Sequence, residues 1–399
     1  MTFLADERVA QGTDVKRYQV VLAGICALIL TVGLARFAYT PLLPVMREQA
    51  GLSHLAGGWL ATINYAGYMA GTLLATRISD VRWKFWGYRI GLVLAVLSTA
   101  AMACTSDVVV WGVFRFLGGL SSIAGMLFGS GLVLNWLVRR GHQAELGLHF
   151  MGIGLGIVVS GLAAGGMADW LQWRGQWLGL GLLGIVFFLP AWLWMPEPAH
   201  IDAGAGAQPG TPVPGRDASM RLLQAMYFCA GFGFAISATF IVAILVKLPL
   251  LAGRGSWIWV IVGLAATPSC FLWDRAAAAF RPLRALLIAF ALQTLSLLIP
   301  AMTDGAFLNV CGALLFGATF VGIVSLTLAL VGRRFPDNPA KAMARMTLGY
   351  GVAQIIAPAM AGYIAASTGS YRNALLITAG VMVCGMVVLQ VLSREERRA

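Results

Sequence analysis

Arg36 and Arg115 are the residues from which function has to be argued, because each lies deep inside an apolar run, 29-ILTVGLARFAYT-40 and 108-VVVWGVFRFLGG-119. A guanidinium keeps its proton and offers a planar fork of donors that fits a carboxylate or a phosphate. At 1.5 Å per helical residue, Arg36 stands ~15 Å and Arg115 ~10 Å from the same membrane surface, so the two share a depth. One reading is therefore an anion site. The other is bracing, in which each Arg caps carbonyls freed around Pro41 and Pro44 or ties the first helix to the fourth. Tyr39, Thr40, Asn64, Tyr65 and Tyr68 fall on the first two helices, and Asn64 and Tyr68, four apart, share a face. Such a lining suits a solute with an apolar body and an anionic head.

The remaining polar residues bound the chemistry. No Asp or Glu falls at mid-membrane, which leaves a buried-carboxylate proton relay without support. His149 follows Glu145 by one turn near the inner end of the fifth helix; it is either a possible proton site or a histidine facing the headgroup region. In the second half Gln354 is the foremost candidate, within a Gly351 to Pro358 stretch where the eleventh helix is expected to be irregular. Cys26, Cys104, Cys229, Cys270, Cys311 and Cys384 are scattered without ligand or disulfide spacing. Sixteen Met keep a copper importer open as an alternative, although helix-spaced Met is usually packing. No cluster of His, Asp or Glu gathers at one face, so an enzyme is not expected, nor is a cofactor or a resident metal.

These residues have to be positioned by membrane helices. With 59% hydrophobic and 11% charged residues and a mean hydropathy of +0.81, the chain cannot cover a soluble globule. Twelve stretches reach the ~20 residues that a span needs. They lie near 19–46, 56–77, 85–105, 108–137, 145–167, 174–195, 220–246, 256–273, 283–303, 305–332, 342–366 and 372–392. The net charge of +12 suggests nucleic acid until its placement is read. Alternate loops put 21 of the 28 Lys and Arg on one side, 5 on the other and 2 inside, which predicts cytoplasmic termini by the positive-inside rule and no nucleic-acid partner.

The chain is also a repeat. Gly152, Gly154 and Gly165 recur 197 residues later as Gly349, Gly351 and Gly362, with Pro358 in the slot of Gly161. The Pro-, Gly- and Ala-rich stretch 196–219 joins a bundle over 19–195 to one over 220–393, with tails at 1–18 and 394–399. Two halves facing each other across a membrane place a substrate at their seam and support rocking. The tail 1–18 is polar and predicts no cleaved leader.

In 33-GLARFAYTPLLPVM-46 and 58-GWLATINYAGYMAGTLLA-75 the chain resembles the major facilitator superfamily over essentially its whole length, and its YbfB/YjiJ-type branch in particular. The superfamily's loop after the second helix is matched loosely by Gly71, Asp80, Arg82 and Lys84, and after the eighth by Asp274 and Arg275. Arg115 with Gly119 matches its fourth-helix signature. Gly156, Ser160, Gly161, Ala164 and Gly165 match the fifth-helix signature without its Pro, a departure that tells against drug/proton antiport.

The resemblance implies an all-α membrane protein of twelve transmembrane helices in two pseudo-symmetric six-helix bundles, a secondary active transporter working by alternating access. A bacterial inner membrane, a monomer and a small-molecule substrate, most readily an organic anion or amphipathic metabolite, complete the expectation. A non-transporting membrane sensor would share the fold. Arg36, Arg115, Tyr39, Asn64, Tyr65, Tyr68 and Gln354 are the expected substrate contacts. Gly71, Asp80, Arg82, Gly119, Gly156, Gly161, Gly165, Asp274, Arg275, Gly351, Pro358 and Gly362 are expected to pack or gate. Asp80 and Asp274 are expected to latch helix ends.

Overall fold

The computed structural model describes residues 16–142, 146–198, 216–335 and 339–398. Apolar runs in lipid leave the backbone no partner but itself, and the chain accordingly forms helices throughout, with no strand among the described residues. They are α1 (Arg17–Ala50), α2 (His54–Thr76), α3 (Val81–Cys104), α4 (Val108–Arg139), α5 (Leu146–Ala168) and α6 (Trp173–Leu193) in the first half. The second half has α7 (Arg216–Leu245), the bent pair Gly255–Ala266 and Ser269–Phe280 as α8, α9 (Pro282–Met302), α10 (Ala306–Arg334), α11 (Pro339–Thr368) and α12 (Arg372–Arg398). An even number of antiparallel spans puts both chain ends on one face, the terminal face; the other is the distal face.

Four elements depart from expectation. The eighth span continues past 273 to Phe280 and turns through 43° at Thr267–Pro268, where Pro268 has no amide hydrogen to give. The eleventh helix is regular through Pro358, so no irregular Gly351 to Pro358 stretch exists. The irregularity is in α1 instead, where Ile29–Phe37 is π-helical, and again in α4 at Ala124–Gly129. α2 is long enough to span but less apolar than the rest, because Thr62, Asn64, Tyr65 and Tyr68 are turned into the protein rather than to lipid.

The glycine repeat explains how the halves meet. The largest contacts across the seam are α2 against α11 and α5 against α8. A Cβ on Gly154 would stand 2.5 Å from the Thr267 amide nitrogen, and one on Gly165 2.9 Å from Ser256 Oγ, both on α8. Their repeat partners face α2: Gly351 lies on Met69, and a Cβ on Gly362 would be 3.0 Å from Gly58 Cα. Gly161 fits against Ser256 and Val260, and the carbonyl of its counterpart Pro358 lies against Gly58. Gly152 and Gly349 stay within their own halves, against α1 and α7, and Gly156 meets Gly33 of α1 backbone to backbone. Small residues thus replace hydrophobic burial as the means of close approach in lipid.

Asp80 accepts from Arg82 N at 2.7 Å and caps α3, so its carboxylate is occupied at its own helix end. Arg82 lies 3.9 Å from Glu197 with both side chains exposed, a pair worth ~0–1 kcal/mol. Asp274 is exposed, and Arg275 lies over Phe271 at 4.1 Å.

A side chain at Gly58 collides with Pro358 O at 2.6 Å, whereas Gly166 has nothing within 4 Å. Gly58→Val is therefore expected to lose ~1–3 kcal/mol, as overpacking does, and to lower the melting temperature in detergent, while Gly166→Ala does not lower it.

Candidate functional site

A π turn offers its carbonyls to amides five residues on, and Pro41 has no amide hydrogen for the carbonyls of Arg36 and Phe37, five and four residues before it. In the hydrocarbon region such orphans must find other donors. α4 supplies them. Arg115 Nη1 donates to Ala35 O and Nη2 to Arg36 O, each at 3.2 Å, and Ser122 Oγ, two turns further along the same face, donates to Thr31 O at 3.1 Å. Gly118 makes room, since a Cβ there would lie 2.9 Å from Ala35 O. Asn64 Nδ2 donates to Arg115 O at 2.7 Å and joins α2 to the same knot. Tyr39 lies under the Arg115 guanidinium at 4.4 Å and donates through its hydroxyl to Gly57 O at 2.9 Å.

Arg36 is held differently. Its guanidinium carbon lies 4.4 Å from the Tyr68 ring centroid, 4.8 Å from Tyr65 and 5.4 Å from Phe37. It is 6% exposed, and its Nε has no partner. No carboxylate among the described residues comes within 4 Å of either guanidinium. A charge at membrane depth costs ~2.5–3.5 kcal/mol on insertion scales, and cation–π contacts recover ~0.5–2 kcal/mol each. The cage therefore holds Arg36 without neutralising it.

Arg36, Tyr39, Asn64, Tyr65 and Arg115 line one pocket with Phe37, Thr40, Ala61, Ala238 and Thr239. It has a volume of about 10 Å³, room for roughly one water. Tyr68 reaches it by stacking on Arg36. Gln354 does not belong to it: the side chain is buried, with Oε1 unpartnered, on α11. The second half contributes aromatics instead. Phe234 of α7 lies 6.2 Å from Phe37, 6.2 Å from Tyr65, 6.0 Å from Tyr350 and 5.3 Å from Phe320. Sequence reasoning missed Phe234; an aromatic on a span with no charge gives no signal until its neighbours are known. Thr40 donates to Ala238 O, Thr62 to Ile355 O and Trp259 to Ser160, so the hydrogen bonds across the seam lie at or on the distal side of the Arg36 level.

The structure overturns the headgroup reading of His149. The ring is fully buried inside the first half, where Nε2 lies 2.9 Å from Ser130 Oγ, Nδ1 has no partner and Gly24 of α1 abuts the ring. The bulge of α4 at Ala124–Gly129 brings Ser130 to it. Glu145 lies outside the described residues.

Residues 28–390 match the family described as uncharacterised MFS-type transporter YbfB. A curated relative, the uncharacterized transporter mfc1 of Schizosaccharomyces pombe, is 26% identical over 149 residues, which is 37% of this chain and 30% of that protein's length. Among solved structures, the nucleoside transporter NupG superposes with a TM-score of 0.73 at 14% identity, covering 94% of this chain and 98% of that one. A bacterial homolog of the human lysosomal transporter Spinster superposes with a TM-score of 0.69 at 16% identity, covering 96% and 98%. Likeness at this identity concerns the fold.

Arg115→Leu removes two hydrogen bonds to buried carbonyls and is expected to destabilise by ~2–6 kcal/mol, at ~1–3 kcal/mol each. Arg115→Lys restores little, because one ammonium cannot span both oxygens, and Arg36→Leu costs much less. Chemical unfolding of the three variants in detergent checks the order.

Proposed function

We propose a role for this protein from one premise: the chain belongs to the major facilitator superfamily, in the family of the MFS-type transporter YbfB. It is a multi-pass membrane transporter. Its cargo, on our reading, is a small organic anion with an apolar or aromatic body. One observation carries this, the buried Arg36 guanidinium that is caged by three rings and has no carboxylate within 4 Å among the described residues. A carboxylate docking there gains a charge-assisted bond in a dry setting, while Tyr65, Phe37 and Phe234 offer ring faces to the body. Arg115, bonded through both Nη atoms to the backbone of α1, holds the helix that presents Arg36 and is a positioning residue.

A pocket of about 10 Å³ is far smaller than the ~300–1,000 Å³ of a working ligand site. Substrate entry therefore requires the halves to separate around it. Rocking of bundles 19–195 and 220–393 about the glycine contacts, with 196–219 as the linker, supplies this by alternating access. Since the hydrogen bonds across the seam lie at or on the distal side of the Arg36 level, we take entry to be from the terminal face, which the loop charges assign to the cytoplasm of a bacterial inner membrane. We take the protein to act as a monomer in the lipid bilayer.

A thermal-shift screen of aromatic and aliphatic carboxylates, nucleosides and proton-antiport drugs is the test. Carboxylates are expected to raise the melting temperature of the parent protein and not of Arg36→Gln. Stabilisation by nucleosides alone, equal in both proteins, overturns the assignment.

A further inference from the structure

A second polar cavity lies at the distal face of the carboxy-terminal half, well apart from Arg36. It has a volume of about 470 Å³ and is walled by Lys247, Asp304, Asn309, Tyr371 and Arg372, with Leu248 and Leu375 as apolar flanks. Lys247, Arg372 and Asp304 face the same space, yet none of them forms an ion pair with another within 4 Å. Lys247 has only a long contact of 3.5 Å to Gly369 O, and burial, followed by the nearby charge of Arg47, lowers its affinity for its proton. Its ammonium thus stands without a counter-ion and is favoured by any anion that arrives.

The buried end of the cavity is unsatisfied in the opposite sense. Asn309 is 1% exposed and gives Nδ2 hydrogens to Thr303 O at 2.8 Å and Gly305 O at 3.0 Å, while its Oδ1 accepts from nothing. The Tyr371 hydroxyl is likewise buried and unpartnered. An acceptor buried without a donor is a cost that a bound donor removes. The walls therefore call for a cationic N–H group beside Asp304 and Asn309 and for negative charge beside Lys247 and Arg372. Two cations against one carboxylate leave a surplus positive charge, which a phosphate meets more fully than a single carboxylate does.

We propose that this cavity binds a phosphate–ammonium zwitterion of the phosphoethanolamine type, either as a free ester or as the head of a phospholipid. The site touches the seam: the Tyr371 ring stacks on Phe240 at 4.6 Å and lies 5.6 Å from the His54 ring of the first half. His54 is in turn held by Arg47 Nη2 at 2.6 Å from Nε2. An occupant therefore sits against the aromatic that joins the halves at their distal ends.

The full-length protein, delipidated in detergent, is tested by thermal shift with O-phosphoethanolamine, inorganic phosphate and ethanolamine. Native mass spectrometry then follows retention of phosphatidylethanolamine against phosphatidylglycerol. Asp304→Asn and Lys247→Gln replace exposed side chains, so both variants are expected to fold. The zwitterion should bind more tightly than either half-ligand, and each substitution should weaken it about tenfold, the effect of one charge-assisted contact. A response to the soluble ester assigns the free form. Retention of phosphatidylethanolamine that Asp304→Asn abolishes, without a response to the soluble ester, assigns the lipid head. Responses equal for phosphate and the zwitterion, or untouched by both substitutions, or absent for ester and lipid alike, overturn the proposal.

Discussion

Everything at the centre of this protein depends on carbonyl groups that lipid cannot solvate. The π turn of α1 ends just before Pro41, and Arg115 of α4 meets the backbone oxygens of Ala35 and Arg36 there, while Ser122 meets Thr31 O inside the turn. That engagement fixes the spacing of α1 and α4, and the bond from Asn64 to Arg115 O brings in α2. With three helices set by one buried network, the Arg36 side chain is delivered into a cage of Tyr65, Tyr68 and Phe37 instead of folding back onto its own backbone. Two arginines at one depth thus have opposite duties. One gives two hydrogen bonds to backbone through its Nη atoms, and the other is held by rings alone, with no carboxylate among the described residues within 4 Å.

The same economy governs the seam. Packing between lipid-facing helices gains nothing from expelling water, so the halves approach through glycines that let backbone meet backbone. Gly154 and Gly165 on α5 reach α8, and their repeat partners Gly351 and Gly362 on α11 reach α2. Each half thereby presents its fifth helix to the second helix of the other, which makes the seam an interface of like with like.

How far the sequence foretold this varies with the physics involved. The all-helical membrane fold was legible because hydropathy acts locally along the chain. The pairing of Arg36 with Arg115 was legible from depth alone, since helix rise is fixed. The division of labour between them was not, because it turns on which register α1 adopts before Pro41, and a π turn has no composition signature. Gln354 drew attention through its polarity in a span; it is buried on α11 and does not line the pocket of Arg36. His149 looked superficial from its place near a helix start, but the bulge in α4 carries Ser130 over it. Phe234 carried no signal at all, being one of 20 Phe in an apolar chain.

The central claim, that Arg36 binds the substrate's negative charge while Arg115 only holds backbone, is open to direct inspection. A structure of the protein soaked with 4-bromobenzoate places the bromine by its anomalous signal. The account predicts the carboxylate on Arg36, the ring between Tyr65 and Phe234, and both Arg115 bonds to the carbonyls of α1 intact. A carboxylate seated on Arg115 with those bonds broken, or a bromine site elsewhere with the Arg36 cage empty, would contradict it.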